Sequence, residues 1–204
     1  MKSLLFVVGA RENFIKIAPI CRALKDTPHM PFKIVHTGQH YDRLMSDVFF
    51  DELEIPAPDF HLNIGSGNHG QQTGAMMAML EELCLTHPFS AIVVIGDVNS
   101  TLAGALVGAK LHIPVAHVES GLRSFNRAMP EEINRVVTDH VSDILFAPTQ
   151  TAMLNLEREG LEDRAFFSGD VMYDMSLQGL EKAREKSNVL SSLQLVSRGY
   201  YLDT

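Results

Sequence analysis

Three stretches place ionisable side chains where apolar runs stop. "GARENFIK" (9–16) offers Arg11 and Lys16 just after a glycine, and "GDVNST" (96–101) offers Asp97. "HVESGLRSFNRAMPEEINR" (117–135) gathers three glutamates, a histidine and three arginines. Cations beside a helix start, with its free N–H groups and positive dipole end, suit a diphosphate. Carboxylates suit proton transfer, or the stabilisation of positive charge that develops during a reaction. A glutamate that closes a buried strand is unusual, because carboxylates are rarely buried unpaired, so Glu119 reads as functional. Asp97 taken alone reads more simply as a helix-start cap, and a tight turn with solvated charges accounts for Arg11 and Lys16 about as well as a ligand site does.

Glu131 and Glu132 follow Pro130 in the first turn of a helical pattern, where they complement the macrodipole, and a Glu131–Arg135 pair has i,i+4 spacing. That explanation suffices for Glu132. It is weaker for Glu131, whose helix start falls at the edge where parallel sheets collect ligands. Ile133, Val136, Val137 and Val141 share one helical face and are expected to pack inward. Asp139 and His140 read as solvated or capping residues. The His117–Glu119 spacing matches one half of a zinc deaminase signature, but the required P-C-x-x-C is absent, so no metal is expected. There is no G-x-G-x-x-G and no Walker A loop, so neither a dinucleotide nor any other cofactor is expected.

The elements that must position these groups follow from alternating patterns. Apolar runs at 3–9, 32–38, 91–97, 113–119 and 143–149 are rich in Val and Ile and lack period-two alternation, as buried parallel strands do. A short strand is expected within 59–63 and another in "RAFFSGDV" (164–171). Helical patterns lie near 13–26, 41–52, 69–86, 99–111, 131–141, 150–159 and 171–186. This β-α alternation predicts an α/β fold, a doubly wound parallel sheet of six or seven strands with one core over residues 3–186. In such a sheet the three charged stretches all fall at carboxyl ends of strands.

The 204 residues, 46% hydrophobic and 21% charged, suffice for a substantial core. A formal net charge of −8 with no basic stripe speaks against a nucleic-acid partner. No apolar run approaches the ~20 residues needed to cross a bilayer, so no membrane partner is expected. "MKSLLFVVGA" runs straight into a turn and a helix, which makes it a first strand rather than a signal peptide. Cys21 and Cys84 sit in helical patterns without metal-type spacing, as reduced core residues of a cytoplasmic protein would. His36 lies inside a strand and reads as a core histidine. After residue 186 a polar link leads to "GYYLDT", which resembles the start of another strand. Residues 1–186 are therefore expected to form one lobe, and 187–204 a poorly packed linker and the beginning of a second.

Five motifs in order, "GARENFIKIAPI", "VHTGQHYD", "VIGDVNSTLAGAL", "PVAHVESGLRS" and "MPEEINR", resemble the non-hydrolysing UDP-N-acetylglucosamine 2-epimerases over about residues 3–175. The resemblance implies one Rossmann-like lobe of a glycosyltransferase-B-type two-lobed fold, with the ligand in the cleft between lobes. It implies Asp97, Glu119 and Glu131 as the catalytic acidic positions, and Arg11 and Lys16 as basic positions that bind substrate. Arg135, in the last motif, is grouped with the substrate-binding cations. Gln39 and His40 match positions that contact a second, regulatory UDP-sugar in some bacterial members. The implied partners are a UDP-sugar substrate and a second copy of the chain, as a two-fold homodimer. The run Met76, Met77, Met79 and Leu80 offers apolar surface for that pairing, although any single Met is better explained as core.

Two departures stand out. Glu12-Asn13-Phe14 replaces the common Pro-Glu-Ala, which marks a divergent branch. The loop "GSGNHGQQ" (65–72) lacks the arginine found near there in regulated members, so regulation by substrate is not implied. The family's catalytic histidine and most uridine contacts belong to the second lobe, so this lobe alone is expected to be inactive. Two other functions fit the same residues. One is a hydrolysing relative that releases UDP and N-acetylmannosamine; the other is a non-catalytic nucleotide-sugar-binding module.

Overall fold

The computed structural model describes residues 2–38, 55–196 and 198–201. Seven parallel strands form one sheet in the order β3-β2-β1-β4-β5-β6-β7. They are β1 Ser3–Val8, β2 Phe32–His36, β3 Phe60–His61, β4 Phe89–Ile95, β5 Val115–Val118, β6 Ile144–Ala147 and β7 Ala165–Phe167. The helices are α1 Arg11–Lys25, α2 His69–Thr86, α3 Asn99–Lys110, α4 Pro130–Val141, α5 Gln150–Arg158, α6 Val171–Lys186 and the single turn α7 Val189–Ser192. The expected doubly wound sheet is present, and its five long strands stop one or two residues short of the expected C-terminal limits. The helical pattern at 41–52, and Gln39 and His40, lie outside the described residues.

Strand side chains point alternately to two faces, and both faces are buried, which is why the strands read as continuous apolar runs. Leu5, Val7, Ile92, Val94 and Val115 join Met76, Leu80, Ala103 and Val107 of α2 and α3 on one face. Phe6, Val8, Val93, Ile95, Ala116 and Val118 join Phe14, Ile17, Ala18 and Cys21 of α1 and Met175 of α6 on the other. Met76 and Leu80 are thus core residues with 0% and 1% exposure, and Met77 packs partly against the same layer. Of the four apolar residues considered for pairing, Met79 remains open, at 40% exposure.

His36 is buried, as its place in β2 suggested, and stacks on Phe14 with ring centroids 5.1 Å apart. Burial, reinforced by the neighbouring His61, pushes its pKa down to about 4. Cys21 and Cys84 are free and buried, and burial pushes their thiols up to about 12 and about 11. Within α7 and the segment around it, Val189, Leu193 and Val196 are more than half exposed. No helix among the described residues is long and apolar enough to cross a membrane.

Small residues let α3 lie close against the sheet, over β1, β4 and β5. A Cβ on Gly108 would run into the Val115 side chain, and one on Gly104 would meet Val94 Cγ1 at 2.9 Å. This close approach carries the α3 N-terminus to the junction between β1 and β4, where the strand order reverses. Gly108→Val should therefore overpack the layer and lower stability by about 1–3 kcal/mol in chemical denaturation.

Candidate functional site

The carboxyl ends of β1, β4 and β5 meet at this reversal. Beyond β1, α1 begins at Arg11, which is exposed. Gly9 serves by its lack of a side chain, because a Cβ there would meet Thr37 Oγ1 and Ser100 Oγ at 2.5 Å. Asn13, fully buried, accepts hydrogen bonds from the backbone N–H groups of Gly9 (3.0 Å) and Ala10 (3.1 Å). Its amide nitrogen donates to the Ile95 carbonyl at 2.9 Å, which ties the end of β1 to the end of β4. One turn further along α1, Lys16 Nζ forms an ion pair with Glu119 Oε2 beyond β5. Both side chains are largely buried, at 11% and 17% exposure.

Glu119 reaches that pair through an uncommon backbone. Its φ is +73°, in the left-handed region that non-glycine residues avoid at a cost of roughly 1–2 kcal/mol. The Glu119 and Ser120 N–H groups both donate to the Phe146 carbonyl at 3.0 Å, which fixes the turn. Gly121 completes it at φ +78°, with a position for Cβ only 2.5 Å from the Ala152 carbonyl oxygen, so no other residue fits there.

Asp97 does not cap α3, whose N-cap is Val98. Instead its Oδ2 accepts from Arg135 Nη2 at 2.6 Å and Nε at 2.9 Å. Arg135 also pairs with Glu132 at 3.0 Å, so its partners are Asp97 and the i,i+3 glutamate rather than the expected Glu131. Asn134 donates to the Asp97 carbonyl at 2.8 Å and to Asn99 Oδ1 at 3.3 Å, which braces the same turn. Glu131 stands half-buried in the first turn of α4, with no ion pair among the described residues.

Helix α4 is rotated relative to its pattern. Glu132, Asn134, Thr138 and Asp139 are its buried residues, whereas Ile133, Val136 and Val137 are half-exposed and line a shallow cleft with Arg123, Phe125 and Arg127. Only Val141 of the expected stripe packs against a core layer. The physical reason is that the polar residues find dense partners inside. Glu132 is 3% exposed and accepts from Ser124 N (2.9 Å), Ser124 Oγ (3.0 Å) and Phe125 N (2.9 Å). Burial pushes its carboxyl up, but the hydrogen bonds from Ser124, Arg135 and Phe125 outweigh this and hold it below the usual range.

Asp139, expected to be solvated or capping, is fully buried. Its Oδ1 lies 2.6 Å from His117 Nδ1, and its Oδ2 accepts from Gly121 N at 3.0 Å and Arg123 Nη1 at 2.7 Å. Burial raises its carboxyl, and the opposing pull of His117, then Arg123 and Gly121, brings it below the ordinary value. Arg123 reaches on to Glu159 with two contacts of 2.7 Å. Sequence patterning missed His117, Asp139 and Asn13. The one available signal was polar residues on the face of α4 opposite its apolar stripe.

The structure thus brings Lys16 of α1 to Glu119, just beyond β5, and Arg135 of α4 to Asp97, just beyond the adjacent β4. Arg11 and Glu131 flank these pairs at two helix starts. The pairs can bind an anion through the cations and leave carboxylates for a proton or a positive centre.

A family model for UDP-N-acetylglucosamine 2-epimerase matches residues 22–203. The chain belongs to the UDP-N-acetylglucosamine 2-epimerase family. It is 53% identical over 199 residues to a UDP-N-acetylglucosamine 2-epimerase homolog of Methanococcus maripaludis, covering 97% of this chain and 55% of that protein. It is 50% identical over 183 residues to the UDP-2,3-diacetamido-2,3-dideoxy-D-glucuronate 2-epimerase of Pseudomonas aeruginosa, covering 88% and 52%. The crystal structure of the Methanocaldococcus jannaschii UDP-GlcNAc 2-epimerase in complex with UDP-GlcNAc and UDP superimposes with a TM-score of 0.90 at 50% identity, covering 95% of this chain and 53% of that one. The sheet is therefore a Rossmann-like lobe of glycosyltransferase-B type, and the chain spans about half the length of the family members it matches.

Two outcomes test this geometry. Lys16→Met should destabilise the chain by about 1–3 kcal/mol, and adding Glu119→Gln should recover part of that loss, because the unpaired carboxylate is gone. Denaturation of the four proteins in the cycle measures it. Glu132 has a depressed carboxyl, so its contribution is full above the unfolded carboxylate range and disappears as pH falls through the folded value. Glu132→Gln should cost about 1–3 kcal/mol at neutral pH, with the gap to wild type closing in acid.

Proposed function

We propose that the complete protein interconverts UDP-N-acetylglucosamine and UDP-N-acetylmannosamine without net hydrolysis, and that residues 1–186 supply one wall of its cleft while 187–204 lead into a second lobe. The observation that carries this is the strained Glu119, aimed at Lys16 beside the Asp97–Arg135 pair on the next strand. Family membership and the likeness to a relative crystallised with UDP-GlcNAc and UDP support the choice of ligand.

The C2 proton of the sugar is not adjacent to a carbonyl, so direct removal is very costly. Elimination avoids this: the C1–O bond breaks, the C2 proton leaves, UDP departs and a 2-acetamidoglucal remains. Re-addition of UDP at C1 with a proton delivered to the opposite face of C2 gives the epimer. Glu119, Asp97 and Glu131 serve as the carboxylates that stabilise the cationic ring and carry the proton. Arg11, Lys16 and the α1 N-terminus take the charge of the departing diphosphate, and Arg135 sets the Asp97 carboxylate. An arriving diphosphate competes with Glu119 for Lys16, which frees the carboxylate when substrate binds. Gln39 and His40 are assigned to a second UDP-sugar contact.

The 50% identity to an epimerase named for a diacetamido glucuronate favours one alternative, in which the same C2 chemistry acts on that UDP-sugar. Chromatographic product analysis with both nucleotide sugars separates the two, and appearance of free UDP with N-acetylmannosamine would indicate the hydrolysing branch. The buried free thiols suit a reducing cytoplasm. Pairing as a two-fold homodimer is supported by the exposed Met79 and Leu85 on α2, and a monomer in light scattering at high concentration would remove it.

In the complete protein Glu119→Gln or Asp97→Asn should lower kcat by roughly a hundredfold or more while KM changes little. If these carboxylates only stabilise local structure, kcat will stay near wild type while stability falls by about 1 kcal/mol.

A further inference from the structure

Two turns must be held in register for Glu119 and Asp97 to face one substrate, and beyond the bonds that brace each turn separately, one buried pair bonds to both. One runs through Gly96, at φ +70°, immediately before Asp97. The other runs from Glu119 to Gly121, at φ +73° and +78°. Both are grasped from below by the same buried pair. His117 Nε2 lies 2.8 Å from the Gly96 carbonyl oxygen, and Nδ1 lies 2.6 Å from Asp139 Oδ1. The other oxygen of Asp139 accepts the Gly121 N–H at 3.0 Å. Nε2 faces a carbonyl oxygen, which can only accept, so the ring donates there to Gly96, and one proton joins Nδ1 to the Asp139 carboxyl. His117 and Asp139 have no exposure, so solvent cannot replace either bond.

We propose that His117 and Asp139 are a positioning pair for the epimerase reaction: from beneath the site they fix the Gly96–Asp97 peptide relative to the Glu119 turn, and so set the separation of the two carboxylates without touching substrate. The pair rests on the functional assignment above for its effect on turnover, but not for its effect on the two turns. The electrostatics close without help from the ligand. Asp139 is balanced by His117 and Arg123, and Arg123 is balanced in turn by Glu159 at the surface side. A wrongly rotated Gly96 peptide would leave a ring N–H buried and unmatched, and so the pair selects one peptide orientation.

Conservative substitutions separate this role from simple packing. His117→Gln can still present an amide N–H near the Nε2 position, toward Gly96, whereas His117→Asn keeps only a donor toward Asp139. In the complete protein His117→Asn and Asp139→Asn should lower kcat at least tenfold with KM within about threefold of wild type, and His117→Gln should recover much of the loss. Glu159→Gln, which alters only the outer end of the network, should lower the melting temperature with kcat unchanged. The amide resonances of Asp97 and Glu119 should shift in His117→Asn and stay near wild type in His117→Gln. Equal kcat in the Gln and Asn variants, or unmoved Asp97 and Glu119 resonances in His117→Asn, would overturn the proposal. If wild type itself lacks epimerase activity the functional assignment fails, and the resonances alone still decide whether the pair sets the two turns.

Discussion

A carboxylate with no exposure must be surrounded by donors before the chain can fold around it, and Asp139 imposes that condition on this structure. An uncompensated charge in the interior costs several kcal/mol, far more than one wrongly placed apolar residue. Asp139 is met by an imidazole from β5, a guanidinium from the loop after it and a backbone N–H from the turn between them. Satisfying those three at once requires α4 to present its polar side to the sheet, β5 to end in a left-handed turn, and Arg123 to fold inward. The ligand edge of the lobe is shaped as much by this one neutralisation as by the hydrophobic layers.

This also shows where patterning succeeds and where it fails. The strands were legible because a parallel sheet covered on both faces requires unbroken Val and Ile runs, and the runs at β1, β4 and β5 supply them. Lys16, Asp97, Glu119 and Arg135 were legible as charges at strand ends, and the structure gathers them there. The orientation of α4 was not legible. The rule that apolar residues face inward presumes nothing polar competes for the interior, and Ile133, Val136 and Val137 are outbid by Glu132, Asn134 and Asp139, each with partners waiting. Partners 22 residues apart, as His117 and Asp139 are, leave no periodic trace.

Asn13 illustrates a second limit. Its side chain sits three residues into α1 and satisfies N–H groups at the end of β1 while donating to the end of β4. A sequence shows a polar residue in a helix's first turn. That one amide spans the gap between neighbouring strands depends on the parallel sheet, since only there do two strand tips and a helix start come within one side chain's reach. Close approach of α3 through Gly104 and Gly108 likewise becomes meaningful only after the layers are stacked.

The left-handed backbone at Glu119 has a consequence for how this position can drift. Glycine would relax the turn, and asparagine is better tolerated there than most side chains. Backbone energetics therefore rewards precisely the replacements that discard the negative charge facing Lys16. Each of those replacements also strands the buried Lys16 ammonium without its carboxylate, so position 119 is held between two opposed demands, a backbone that would relax without glutamate and a cation that would be left uncompensated without it.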